Sequence, residues 1–150
     1  MEPLSILAAA SSVAAGCVKA MMTLNDLQTR FKKANITIAL ISSKSALVAA
    51  WLSQLQRLCE DPYSYFVRNM ANQPDLVAAL DTSLTGCTMV YTYLNKELES
   101  LSGDINTGTS SPNVVKKFKM LWKQDTMSSI LQQITHQETA ISCLIQCVQM

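Results

Sequence analysis

Charge is what this sequence has least of. Only 15% of its 150 residues are Asp, Glu, Lys or Arg, and 12 basic residues nearly balance 11 acidic ones. The resulting net charge of +1 supplies no global field to draw the chain onto nucleic acid, so contact with an anionic surface needs a local cluster. Histidine occurs once, at His136, with no serine or cysteine at a motif spacing. There is no glycine-rich phosphate loop, and no helical stretch turns paired carboxylates toward its apolar side. The groups that nucleophilic, phosphate or acid–base chemistry requires are not assembled, so the chain reads as a non-enzyme without a cofactor. Strand signals are also nearly missing. The four prolines, Pro3, Pro62, Pro74 and Pro112, fall at starts or breaks, and between them the apolar residues recur at helical spacing.

Cysteine is present in an odd number, five: Cys17, Cys59, Cys87, Cys143 and Cys147. No tight pairing stands out, and several fall on apolar helical stripes, as buried reduced thiols do; a reducing, intracellular home is expected. His136, Cys143 and Cys147 lie near one helical face, yet the steps of seven and four spread them over about 16 Å of axis, too far for one ion. Only Cys143 and Cys147 can ligate together, and packed thiols are the plainer reading.

Apolar residues make up 49% of the chain, and the opening stretch is the most unusual part. From Pro3 to Val18 there is no charged side chain, and small residues fill half the run. Pro3 suits a first helical turn. Leu4, Leu7, Ser11, Ala14, Val18, Met21 and Asn25 follow one helical stripe that fits a core. On another face Ala8, Ser12, Gly16 and Ala20 recur every four residues, a ladder that lets a second backbone approach closely, inside a bundle or between membrane helices. Glu2 and the alanine-rich composition argue against a secretory signal, and Lys19 cuts the run below the ~20 apolar residues of a constitutive span.

A single all-α domain, 1–150, of four to five main helices is the expected architecture. The first helix runs from Pro3 to about Phe31, followed by a basic turn over Lys32–Asn35 in which Asn35 caps the second helix. That helix carries Leu40, Leu47, Trp51, Leu55 and Leu58 as its stripe, widened by Ile41, Val48 and Leu52, and stops at Asp61-Pro62. One or two irregular helical turns with Tyr63, Tyr65 and Phe66 lie across the bundle end as a lid. The third long helix opens at Pro74 and carries Leu76, Leu80, Leu84, Cys87, Tyr91, Leu94, Leu98 and Leu101, a heptad-like seam that places it mid-bundle, with Gly103 as its terminator. Residues 102–113 form a flexible loop. The final stripe begins with Val114, Phe118, Leu121 and Trp122. It bends or restarts near Asp125 and continues through Ile130, Leu131, Ile134, Ile141, Leu144, Ile145 and Val148 to the last residue, as if the chain were part of something longer. Basic residues cluster at Arg30, Lys32 and Lys33 and at Lys116, Lys117, Lys119 and Lys123, either as solvated faces or as contacts for an anionic surface.

Two stretches carry a family resemblance. Met1-Glu2-Pro3-Leu4-Ser5-Ile6-Leu7, followed by alanine, serine and glycine, resembles the start of the HeLo-like domains found at the N-termini of fungal STAND (NLR-like) receptors. Phe118-Lys119-Met120-Leu121-Trp122-Lys123-Gln124-Asp125, then Ile130-Leu131-Gln132-Gln133-Ile134 and Ile141-Ser142-Cys143-Leu144-Ile145, is similar to that family's closing part. At His136-Gln137-Glu138 the chain departs from the pattern, which more often has glycine or a basic residue there.

The resemblance implies a helical effector or signalling domain of an intracellular receptor, cytoplasmic at rest and moving to the plasma membrane when activated. In some members of the wider group the N-terminal helix is released on oligomerisation and permeabilises the membrane, causing cell death. The implied partners are further copies of the chain, anionic lipid and downstream receptor domains, with no nucleic acid. The residues expected to serve the membrane or assembly helix are Leu4, Leu7, Ala8, Ser12, Gly16 and Ala20. Those expected to meet anionic lipid are Lys32, Lys33, Lys116, Lys117 and Lys119. The competing expectation is a soluble helical interaction module that self-associates without touching lipid.

Overall fold

Buried side chains alternate three and four residues apart along the long helices, the spacing that keeps one seam of each helix facing its neighbours. In α1 (Pro3–Phe31) the seam is Ile6, Ala10, Val13, Cys17, Ala20, Leu24 and Leu27. In α2 (Ile36–Glu60) it is Ile38, Ile41, Ser45, Val48, Leu52, Leu55 and Cys59. The short α3 (Tyr65–Asn72) buries Phe66 and Met70. In α4 (Pro74–Asn106) the seam is Val77, Leu80, Leu84, Cys87, Tyr91, Leu94 and Leu98. In α5 (Gln124–Gln149) it is Met127, Ile130, Ile134, Ile141, Ile145 and Val148. These helices come from a computed structural model that describes residues 3–31, 36–106 and 124–149, with no strand among them. The turn at Lys32–Asn35, the Asn35 cap, residues 107–113 of the expected 102–113 loop and the stripe from Val114 to Trp122 lie outside the described residues, whereas residues 102–106 of that expected loop are helical, as the end of α4.

Side-chain contacts fix the directions of the helices. Gln56 donates to Ser11 Oγ (2.7 Å), so the late part of α2 meets the early part of α1 and the two run antiparallel. Asn95 and Glu99 of α4 meet Gly16 and Lys19 of α1 in the same order, so that pair is parallel. Lys44 of α2 faces Glu138 of α5, and Asn69, beyond the end of α2, donates to the carbonyl of Val148, which makes α2 and α5 parallel. The four long helices stand at the corners of a square in the order α1, α2, α5, α4, each packed on its two neighbours. The path from α2 to α4 therefore crosses a diagonal, and α3 carries it over the end of the bundle.

The breaks follow the punctuation in the sequence. After α2 ends, Asp61 Oδ1 accepts from the Tyr63 N–H (2.9 Å), and Ser64 Oγ accepts from the Val67 N–H (3.2 Å) as the cap of α3. The segment is thus a regular eight-residue helix rather than irregular turns. Of its three aromatics only Phe66 lids the core, while Tyr63 and Tyr65 point to solvent. Gly103 does not end α4, which continues to Asn106, because a helix tolerates an interior glycine at a cost of about 1 kcal/mol. Nor is α4 central; its seam is one-sided, and it occupies a corner like the other three.

Two expected stripes are turned from their true positions. In α1 the buried residues each sit one position before those expected: Ile6 for Leu7, Ala10 for Ser11, Val13 for Ala14, Cys17 for Val18 and Ala20 for Met21. Leu4 and Val18 are exposed and Leu7 is half-buried. One position is a rotation of about 100°. In α2 the residues expected to widen the stripe, Ile41, Val48 and Leu52, are its centre, while Leu40 and Leu47 are exposed and Trp51 and Leu58 half-buried. In α1 the cause is that the bundle places the small Ala10, Cys17 and Ala20 where backbones come close and leaves Leu4, Val18 and Met22 on the flanks, so volume does not track depth; in α2 both candidate stripes are made of large apolar residues, so side-chain size does not choose between them.

Candidate functional site

The small-residue ladder of α1 is partly consumed by the bundle. Ala20 is fully buried. A Cβ on Gly16 would lie 3.5 Å from Tyr91 Cβ and 3.8 Å from Asn95 Nδ2, so this glycine faces α4 at close range. Asn95 Nδ2 donates to the Gly16 carbonyl (3.1 Å), using that oxygen's second lone pair. Ser12 borders the same small cleft with Thr88, Thr92 and Asn95. Ala8, one turn earlier, is exposed. The ladder thus serves α1–α4 packing over its second half and is free only toward its start. Because 3.5 Å is ordinary contact, Gly16→Ala should be tolerated and gain about 0.5–1 kcal/mol of helix propensity. Gly16→Leu should push α1 from α4 at a cost of about 1–3 kcal/mol. Thermal denaturation of the two variants checks both signs.

A polar layer crosses the middle of the core. Tyr91 extends from α4 to the diagonal helix α2 and donates to Ser45 Oγ (2.7 Å), both residues being buried, and the thiol of Cys17 on α1 lies near the Tyr91 phenol. Burial, and then the nearby Cys17, push the Tyr91 phenol well above its usual range, so it stays a neutral donor. Burial likewise pushes the Cys87 thiol up to about 12. At the α4–α5 contact, a Cβ on Gly86 would stand 2.5 Å from Gln137 Nε2, so the amide of Gln137 lies over a helix surface with no side chain. Beside it Glu138, nearly buried, pairs with Lys44 at 3.9 Å. Sequence reasoning gave Ser45 and Gly86 no role and met Gln137 and Glu138 only as a departure from the family pattern. The signal was there, since Ser45 and Gln137 interrupt apolar seams at core positions, where a polar group needs a partner.

Outside the core, α1 and α2 present adjoining faces almost without charge. On α1 the exposed residues run Leu4 (73% exposed), Ala8, Ser11, Ser12, Ala15, Val18 and Met22 (69%), with Lys19 among them. Ala14, Ala15, Val18 and Met22 line a shallow apolar groove edged by Lys19 and Thr23. On α2 they run Ile36 (77%), Ala39, Leu40, Ser43, Ala46, Leu47, Ala50 and Ser53, and before Arg57 the one ionisable group of this helix is the half-buried Lys44, paired with Glu138. Leu4–Thr29 and Ile36–Glu60 are each long and apolar enough to cross a bilayer, with mean hydropathies of 1.6 and 1.5, a test that a buried core helix also passes. Lys19 is held by Glu99 across the α1–α4 seam.

The expected lipid contacts Lys32, Lys33, Lys116, Lys117 and Lys119 lie outside the described residues. His136 is exposed. Cys17, Cys59 and Cys87 are buried free thiols, whereas Cys143 is exposed and Cys147 half-buried. Among the described residues no three His, Cys, Asp or Glu side chains gather as a metal would require. In comparisons with known proteins, no family model, no curated protein and no solved structure matches the chain.

Proposed function

We propose that this chain is a membrane-directed effector or signalling domain, soluble as a closed bundle and driven by oligomerisation to place α1 in an anionic bilayer. The observation that carries the reading is the charge-poor outer face of α1 on a helix long and apolar enough to span. A helix of 26 residues is about 39 Å long, against a hydrocarbon core of about 30 Å. Arg30, Lys32 and Lys33 follow the apolar span Leu4–Thr29 in the sequence, so a crossing that leaves this end on the near side obeys the positive-inside preference. The resemblance to HeLo-like domains of fungal STAND receptors points the same way, with the cytoplasm as the resting site, the plasma membrane as the destination, and downstream receptor domains as the source of clustering.

The closed bundle bears on how this happens. The seam of α1 is as deeply buried as that of α2, so the helix is not a loose appendage, and assembly has to supply the free energy that opens the α1–α4 and α1–α2 contacts. Lys19, released from Glu99, then needs water or neighbouring copies within the assembly. A second reading, a soluble module that self-associates without lipid, is favoured by one observation: Gly16 and Ala20 are already committed within the bundle.

Flotation separates the two readings. Full-length protein clustered by a fused oligomerisation tag should float with anionic vesicles, less so with neutral ones, and weaken as salt rises. Clustered protein that stays at the bottom of the gradient with both vesicle types supports the soluble module instead.

A further inference from the structure

We propose that Cys143 and Cys147, one turn apart on α5, form a two-thiolate site for a soft monovalent cation of the copper(I) class. Positions four apart on a helix share a face, with Cβ atoms about 5–6 Å apart. Cys143 is exposed and Cys147 half-buried, so an ion reaches them directly from solvent. A disulfide needs Cβ atoms within about 3.5–4.5 Å, so the intact helix holds this pair too far apart to bridge on oxidation. A cation taking one bond of about 2.3 Å from each sulfur spans the gap without unwinding α5.

Ligand count selects the ion. No third His, Cys, Asp or Glu joins the pair among the described residues, which leaves a tetrahedral zinc site two ligands short. His136 stands about 10 Å of helix axis before Cys143 and does not reach. Two thiolates alone suit a soft ion content with few ligands, and thiolate sulfur selects copper(I). On binding, two S–H bonds give way to two metal–sulfur bonds, two protons pass to solvent, and the metal keeps its oxidation state. Affinity therefore climbs with pH. The other three cysteines are buried in the core and do not compete for the ion while the bundle is folded.

The test is anaerobic titration of the full chain with copper(I) against a chromogenic copper(I) chelator, repeated with silver(I). The wild-type chain should take one equivalent, Cys143→Ser or Cys147→Ser should each weaken binding at least 100-fold, and the double variant should take none. Because both positions lie outside the core, circular dichroism should show the variants folded. The proposal is overturned if the wild-type chain takes no metal, if the double variant takes as much as wild type, or if one ion is bound per two chains, which would place the site between molecules.

Discussion

A chain lacking residues 1–24 will not fold into the remaining bundle: far-UV helicity should fall sharply and the cooperative thermal transition should disappear. The deletion removes Ile6, Ala10, Val13, Cys17, Ala20 and Leu24 from the core. Burial of the three larger side chains, Ile6, Val13 and Leu24, is worth about 1.5–3 kcal/mol each, and the facing surfaces of α2 and α4 lose their cover as well. The sum, roughly 10 kcal/mol, matches the whole stability of an ordinary domain at about 5–15 kcal/mol. The result matters for function, because a truncated chain that fails to bind vesicles would then report unfolding and not the loss of a membrane helix. A truncated chain that keeps a cooperative melt would show that α1 is stored on an independently stable three-helix core.

The second large effect belongs to Tyr91. Tyr91→Ala should destabilise the bundle by about 3–5 kcal/mol, the usual cost of deleting a buried aromatic ring, and lower the melting temperature by roughly 10 °C. Tyr91→Phe keeps the ring and should cost about 1 kcal/mol, since the Ser45 hydroxyl can turn back to a carbonyl of its own helix. Ser45→Ala should cost about 1–3 kcal/mol, because it strands the phenol in the core without its acceptor. Chemical denaturation of the three variants and of the Tyr91→Phe, Ser45→Ala pair would show the coupling, with the double variant less destabilised than the sum of the singles. Additive losses would mean that the hydroxyls do not depend on one another.

The starts of α1 and α4 and the end of α2 were legible because they rest on local chemistry: Pro3 in a first turn, Asp61-Pro62 as a break, Pro74 as a start; the end of α4 was not, because Gly103 is carried inside the helix. The seam of α4 was legible as well, since Leu80, Leu84, Leu94 and Leu98 are large where they are deep. The seam of α1 was not. Its inner face is built on Ala10, Cys17 and Ala20, while Leu4 and Met22 lie outside, so counting large apolar residues turns the helix by one position. The site was legible only in part. Lack of charge marks α1 from sequence alone, but that α2 stands beside it with a similar face, and that Gly16 is held by Asn95, depend on which helices are neighbours in the square. Pairings such as Tyr91 with Ser45 and Lys44 with Glu138 join residues far apart in the chain, and no local pattern specifies them.

The claim that assembly frees α1 into lipid is tested most directly by dye release from anionic vesicles with α1 tied to α4. Lys19 and Glu99 are paired and exposed, so cysteines at both positions, in a chain also carrying Cys143→Ser and Cys147→Ser, accept a short cleavable dithiol-reactive linker. Clustered protein should release dye at least tenfold faster than unclustered protein, lose that activity when the linker closes, and regain it when the linker is cut. Release that is equally fast with α1 tied down, or no release from clustered protein in any state, would contradict the account.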